Sequence, residues 1–331
     1  MDIREISFEV SAADLVANLV PPPHFLNVRF SNYIPDSNQP TQSAALAALK
    51  EFSTAINTPK KWWQRSESLL PGRYLDGGFG VGKTHLLASL WHEVQGQNAF
   101  GTFVEYTNLV GALGFERCVE ELSNFKLVCI DEFELDDPGD TVLMSTLLMR
   151  LVQNGVKLAA TSNTLPERLG EERFAAEDFA REIQGLSAHF ETLRINGDDY
   201  RHRDLSSAPE PLSEEDLSGW VSRTALQHRV IHNSIAQISE FLKTLHPSKF
   251  HKLVEQFDLI AISDVEQLDD QATALRWVVF IDRLYDLDIP VRYSGESIDR
   301  LFSENLLKSG YRKKYRRALS RIVSLATSSD S

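Results

Sequence analysis

The chain has 331 residues, 42% of them hydrophobic and 24% charged, and its formal net charge is −13 at pH 7. This charge disfavours a nucleic-acid partner, because an acidic surface repels phosphates. No apolar run approaches the roughly 18 residues of a membrane-spanning helix, and the N-terminus has no signal-peptide pattern. The two cysteines give no disulfide framework. We therefore expect a cytoplasmic protein.

The first 70 residues are predicted to be irregular apart from one capped helix at 41–52. Strands and helices then alternate through a predicted core at 71–204. The predicted strands are 73–76, 102–106, 127–130, 156–161 and 190–195, and the predicted helices are 83–93, 109–122 and 141–153. This alternation predicts an α/β fold with a mainly parallel sheet.

Residues 205–217 are polar, acidic and contain proline and serine, which predicts a linker to a C-terminal unit at 218–331. That unit should begin with helical stretches near 220–246. A strand, a helix and a second strand are then predicted at 259–262, 273–285 and 290–293. Segments 257–270 and 288–296 resemble 125–137 and 155–163. Either two strand–helix–strand units simply look alike, or the second is a degenerate duplicate that extends the sheet.

A glycine-rich loop joins the first core strand to the first core helix. It reads Gly77-Gly78-Phe79-Gly80-Val81-Gly82-Lys83-Thr84, a full match to the phosphate-binding pattern G-x-x-x-x-G-K-[ST]. Its backbone N–H groups and the positive N-terminus of the helix should face phosphates. We expect Lys83 to bridge the β- and γ-phosphates and Thr84 to bind Mg²⁺. The predicted ATP-binding segment runs from Gly77 to His85, with ATP and Mg²⁺ as cofactors.

Polar side chains follow the next two buried strands. Asp131 ends an apolar strand and is expected to hold Mg²⁺ beside Thr84, while the adjacent Glu132 would act as general base on the attacking water. Asn163 ends the following strand and should reach the same sheet edge, where its amide can bond the water or the γ-phosphate. The alternatives are a solvated loop carboxylate for Glu132 and a turn or cap for Asn163.

These elements, in this order, resemble the AAA+ ATPases, and more closely the ZapE family of bacterial cell-division ATPases with its mitochondrial AFG-like relatives. The similarity covers most of residues 30–325. It is carried by YLDGGFGVGKTHLL (74–87), CIDEFELDD (129–137), VKLAATSNTLPERL (156–169), DDYRHR (198–203), ALRWVVFIDRLYD (274–286) and YRRALSRI (315–322). The resemblance implies a P-loop core with a C-terminal α/β lid, and it makes Asn163 the residue called sensor 1.

Two segments depart from the family pattern. Residues 100–113 lack its His- and Phe-rich string, and 169–183 differ from its usual Arg-containing sequence. The resemblance places in the second segment an arginine finger donated to the ATP of a neighbouring subunit. Arg173 is the first candidate and Arg181 the second, and an exposed solvated arginine is the alternative for each. A basic C-terminal helix at 311–325 has three interpretations: a solvated face, a phosphate contact through Arg316 or Arg317, or a partner or nucleic-acid patch.

The hydrolytic set predicts an ATPase that forms ADP and phosphate. The resemblance points to remodelling of a protein assembly, the cell-division ring, by an ATP-dependent homo-oligomer that meets membrane through its partners alone. A nucleotide-gated binding module, in which ATP occupancy rather than turnover switches partner affinity, is one alternative. A helicase-loader-like ATPase acting on DNA is another, although the negative net charge counts against it.

Overall fold

The chain divides into two units in a computed structural model that describes residues 1–58, 70–78, 80–133, 138–163, 185, 187–197 and 208–328. The loop unit consists of Ala12–Arg203 and carries the glycine-rich loop. The terminal unit combines Met1–Ser11 with Asp204–Ser331. The loop unit is therefore inserted near the start of a terminal unit whose two pieces are far apart in sequence.

The loop unit is built on a parallel sheet whose described strands lie in the order β2-β3-β4-β1-β5. They are β1 (Gly72–Gly77), β2 (Asn98–Thr102), β3 (Leu127–Asp131), β4 (Lys157–Ser162) and β5 (Phe190–Ile195). The helices are α1 (Ala12–Ala17), α2 (Pro40–Asn57), α3 (Lys83–Glu93), α4 (Phe103–Leu113), α5 (Phe115–Leu122) and α6 (Pro138–Gln153), with a short 3-10 turn at Pro23–Phe25. The predicted α/β fold is confirmed.

Both faces of this sheet are covered, which explains the unbroken apolar sequence of β3. Val128 and Ile130 join one hydrophobic cluster, which includes residues of α4, α5 and α6. Leu127 and Cys129 join the other, which includes residues of α2 and α3. The fold brings three parts of the chain to one edge of this sheet, because each lies at or beyond the carboxyl end of a buried parallel strand: the glycine-rich loop, Asp131 and Asn163.

The second strand lies earlier than predicted. β2 ends at Thr102, and 103–106 form the first turn of α4, so the predicted strand at 102–106 is wrong. Thr102 accepts a hydrogen bond from the backbone of Glu105, whose carboxylate accepts one from the backbone of Thr102, and this capping box starts a helix. The predicted helix at 109–122 is two helices, because Gly114 has φ 82° and ends α4.

The terminal unit holds a second sheet of its own, whose described strands are parallel in the order β6-β7-β8. They are β6 (Val230–Ser234), β7 (Leu259–Val265) and β8 (Val291–Gly295). The helices are α7 (Glu214–Thr224), α8 (Ile235–Thr244), α9 (Phe250–Val254), α10 (Gln271–Asp286), α11 (Glu304–Lys308) and α12 (Arg312–Ser328), with 3-10 turns at Ile3–Glu5, Pro247–Lys249 and Ile298–Arg300.

One of the two alternatives for this unit and two expectations differ from the structure. Its strands pair with one another and do not extend the five-stranded sheet. A strand, β6, interrupts the stretch predicted to be helical at 220–246. The last four residues of the predicted linker already belong to helix α7, since Ser213 caps it by accepting from the backbone of Asp216 and its first turn is acidic.

Candidate nucleotide site

The glycine-rich loop leads from β1 directly into α3. Gly82 caps α3 with φ 87°, a left-handed conformation that favours glycine, and a Cβ there would lie 2.8 Å from the ring of Tyr33. Gly77 passes so close to β5 that a Cβ would lie 2.2 Å from the carbonyl oxygen of Ile195. The loop therefore requires glycine at both ends. Phe79, predicted to belong to it, lies outside the described residues.

Lys83 is folded back onto the loop that precedes it. Its Nζ donates to the carbonyl oxygens of Gly77 and Gly78 over 2.7 and 2.5 Å, and to Oδ1 of Asn163 over 2.9 Å. Only 9% of Lys83 is exposed, so these acceptors take the place of water around its charge. The structure thus brings the predicted phosphate-binding lysine and the residue at the end of β4 into direct contact.

A buried carboxyl group that sequence analysis missed lies behind this lysine. Asp76 occupies the end of β1 just before the loop, where burial raises its pKa and the charges of Arg194 and Lys83 act in the opposite direction. An acidic residue at the end of an apolar strand was the available signal.

The side chains of Thr84 and Asp131, the two predicted metal ligands, lie side by side. The Oγ1 of Thr84 lies 3.1 Å from Oδ2 and 3.2 Å from Oδ1 of Asp131, which ends β3 and is 8% exposed. A hydroxyl and a carboxylate side by side are the oxygen donors that Mg²⁺ prefers in nucleotide sites. These two residues therefore fit a Mg²⁺ ion bound together with nucleotide phosphates.

Glu132 follows Asp131 in a left-handed backbone conformation, with φ 53°. Its N–H donates to Oγ1 of Thr161 over 3.0 Å, and the next N–H, of Phe133, donates to the carbonyl oxygen of Thr161 over 2.7 Å. The same Thr161 hydroxyl donates to Oδ1 of Asp131 over 2.5 Å. Thr161 was missed from the sequence, although it stands two residues before Asn163 at the end of a predicted strand.

An N-terminal segment packs against the start of α3. Tyr33 donates to the carbonyl oxygen of Val81 over 3.3 Å, and its ring lies 5.5 Å from that of His85. The Nε2 of His85 lies 3.3 Å from the carbonyl oxygen of Arg29, and burial lowers the pKa of this histidine. His85, predicted to end the ATP-binding segment, is therefore held from outside the loop.

The arginine predictions fare differently. Arg173 and Arg181, the predicted finger candidates, lie outside the described residues. In α12, Arg316 is exposed, whereas Arg317 and Arg321 lie 2.9 and 2.5 Å from the carboxylate of Asp282 in α10. Arg317 is thus engaged within the terminal unit.

In the described part of the chain, no helix has the length and apolar character to cross a membrane.

Comparison with known proteins identifies a family whose model matches most of the chain. The model of the family described as AFG1-like ATPase matches residues 9–228 and 221–330. Cell division protein ZapE from Escherichia coli (strain K12) is 25% identical over 306 residues, which cover 80% of each chain. Lactation elevated protein 1 homolog B from Danio rerio is 26% identical over 210 residues, 54% of this chain and 42% of that protein.

Solved structures also share features with the chain. AMPPCP-bound DnaA from Aquifex aeolicus is similar over 90% of this chain and 80% of its own, with 12% identity and a TM-score of 0.41. A structure of DnaI is similar over 54% of this chain and 93% of its own, with 19% identity and a TM-score of 0.43. Scores this low carry no argument about function.

Proposed function

Since the chain belongs to the AFG1-like ATPase family, we propose that it hydrolyses ATP at the Gly77–His85 site and couples turnover to remodelling of a protein assembly. The observation that carries the proposal is the contact of Lys83 with Asn163 beside the contact of Thr84 with Asp131. One sheet edge thus assembles a cation, a hydroxyl, a carboxylate and an amide, and Glu132 follows directly.

Each side chain has a role that its position allows. Lys83 leaves its carbonyl acceptors to bridge the β- and γ-phosphates, and the backbone N–H groups of the loop bind the phosphate oxygens. Thr84 and Asp131 would hold Mg²⁺, which when bound neutralises charge on the phosphate oxygens. Glu132 takes the proton of the attacking water, and the amide of Asn163 orients that water or the γ-phosphate. Phe79 belongs to the same proposed ATP-binding loop.

Exchange of the proposed base tests this function. Phosphate release by Glu132→Gln should fall by about 100-fold or more, while a fluorescent ATP analogue still binds. Asp264→Asn is the matched control, because Asp264 has the same left-handed backbone, φ 51°, in the second sheet and should not affect turnover. Full turnover by Glu132→Gln would show that the base is another residue, and an inactive wild-type protein would favour the nucleotide-gated binding module.

The relative named as a cell division protein supports the cell-division ring as the remodelled assembly. We propose further that ATP assembles copies of the chain, with Arg173 or Arg181 reaching the ATP of a neighbour. Glu132→Gln should trap the protein substrate in a pull-down performed with ATP, and light scattering with and without ATP tests assembly. Recovery of division proteins with Glu132→Gln but not with Lys83→Ala supports this role, and equal recovery with both contradicts it.

A further inference from the structure

The hydroxyl of Thr161 joins the two acidic residues of the proposed site. Thr161 lies in β4 and is 2% exposed. Its Oγ1 accepts a hydrogen bond from the N–H of Glu132 and donates one to Oδ1 of Asp131. Because a hydroxyl carries a single proton, that proton is committed to the carboxylate. One buried oxygen atom therefore fixes both the metal-side carboxylate and the backbone that carries the proposed base.

The terminal unit contains the same backbone device and serves as an internal comparison. Helices α6 and α10 are each 16 residues long, and each connects two parallel strands that pair directly. Ile130 pairs with Ala160 across β3 and β4, and Ile262 pairs with Tyr293 across β7 and β8. In this register the residue after Tyr293, which is Ser294, corresponds to Thr161.

The second sheet has the same left-handed turn as the first but lacks the hydroxyl bridge. Asp264 matches Glu132, and their φ angles are 51° and 53°. Ser263 takes the place of Asp131, and the Oγ of Ser294 is buried with no hydrogen-bond partner among the residues that the structure describes. The left-handed turn thus forms in the second sheet without the bridge. This indicates that the Thr161 bridge serves the site rather than the fold.

We propose that Thr161 is a positioning residue for ATP hydrolysis, which sets the Glu132 carboxylate relative to Asp131 through its bridging hydroxyl. The inference rests on the proposed ATPase function of the site. Thr161 itself does not touch the reacting atoms. Loss of its hydroxyl removes one donor to Asp131, beside that of Thr84, and removes the acceptor that Thr161 offers to the Glu132 N–H. Both side chains should then gain freedom around the position of the attacking water.

Three substitutions separate the hydroxyl from side-chain volume. Thr161→Val and Thr161→Ala remove the hydroxyl, and Thr161→Ser keeps it. The first two should lower kcat by about 10- to 100-fold, the range for partners that orient a catalytic group, with little change in the Kd of a fluorescent ATP analogue. Thr161→Ser should restore most of kcat. Ser294→Ala is the matched control in the terminal unit and should turn over ATP like the wild-type protein.

A double-mutant cycle distinguishes positioning from a general loss of structure. In a Glu132→Gln background, Thr161→Val should lower the residual rate by a clearly smaller factor than in the wild-type background, since the Glu132 carboxylate is already gone and only the contact with Asp131 is lost. An equal loss in both backgrounds, or full kcat in Thr161→Val and Thr161→Ala, overturns the proposal. If the wild-type protein does not release phosphate, the proposed ATPase function fails first. If it does release phosphate, and the Thr161 variants keep the wild-type kcat, the positioning role alone fails.

Discussion

The Nζ of Lys83 donates a 2.9 Å hydrogen bond to the Oδ1 of Asn163, and so joins the glycine-rich loop to the end of β4 across 80 residues of sequence. With its oxygen facing the lysine, the amide directs its N–H groups elsewhere. In the proposed ATP complex, the phosphates would compete for Nζ with this acceptor and with the carbonyls of Gly77 and Gly78. Loss of the hydrogen bond at position 163 and addition of a negative charge there should therefore affect kcat and ATP affinity differently.

Two substitutions at Asn163 test this separation. Asn163→Ala removes the amide and should lower kcat by about 100-fold, as loss of one preorganised donor does, with modest change in ATP affinity. Asn163→Asp places a negative charge beside Lys83 and near the phosphates, so it should weaken binding of a fluorescent ATP analogue as well. Equal analogue affinity in the two variants would show that position 163 does not influence the lysine.

Gly82→Ala should damage the loop more than its backbone angle alone explains. Gly82 and Gly155 have φ 87° and 88°, but a Cβ at Gly82 meets Tyr33 at 2.8 Å, and nothing lies within 4 Å of one at Gly155. Gly155→Ala should lose about 1 kcal/mol of unfolding free energy in urea and keep ATP binding. Gly82→Ala should lose more and bind the analogue poorly, and Tyr33→Leu should relieve part of that loss.

Removal of the Thr84 hydroxyl should change the response to Mg²⁺. Thr84 and Asp131 supply the oxygens that fit the ion, and EDTA should stop phosphate release. In Thr84→Ala the Mg²⁺ concentration that supports half-maximal analogue binding should rise by at least about tenfold, the loss expected even for groups one shell further out. Thr146→Ala removes a hydroxyl that bonds within α6 and is the control. An unchanged Mg²⁺ response would place the ion elsewhere.

Asp282 should stabilise the terminal unit in a pH-dependent way. It is 8% exposed, and although burial raises its pKa, Arg317, Arg321 and Arg283 outweigh that effect and hold the pKa below its ordinary value. Asp282→Asn breaks a buried ion cluster and should cost about 3 kcal/mol near pH 7. Hydrogen exchange of α10 and α12 localises the loss, and the exposed Glu304→Gln should leave exchange unchanged.

The sign of the pH dependence follows from the lowered pKa. A carboxyl group that ionises more readily in the folded state stabilises it above the unfolded pKa of about 3.9. The gap between wild type and Asp282→Asn should stay constant from pH 7 down to about 5 and shrink below about 4 as the carboxylate becomes protonated. A gap that widens on acidification would contradict this assignment.

Much of the loop unit could be predicted because its signals are local. The loop pattern depends on consecutive residues, and the ends of neighbouring parallel strands share one edge, so the approach of Thr84 to Asp131 follows from topology. The predicted strand at 102–106 was wrong because the Thr102–Glu105 capping box starts a helix at Phe103. Thr161 could have been found by the same topology, since it lies near the carboxyl end of β4, the strand that pairs with β3.

The long-range pairing of strands could not be predicted from the sequence. Nothing local in β7 or β8 says whether they extend the first sheet or form another, because either place suits a buried apolar strand. The burial of Ile3 among residues more than 200 positions away carries no local pattern either. The roles of Arg173 and Arg181 stay predictions.

The split terminal unit has a consequence for synthesis. Ile3 is fully buried in that unit, and its N–H donates to Oδ1 of Asn233, 230 residues later. At about 5–20 residues per second, a ribosome needs roughly 10–50 s to travel that distance. During this interval every residue of the loop unit is synthesised before β6, so the first eleven residues wait for their partners while the inserted unit is completed. The terminal unit, whose first eleven residues are the first to be made, is therefore the second of the two units whose sequence is complete.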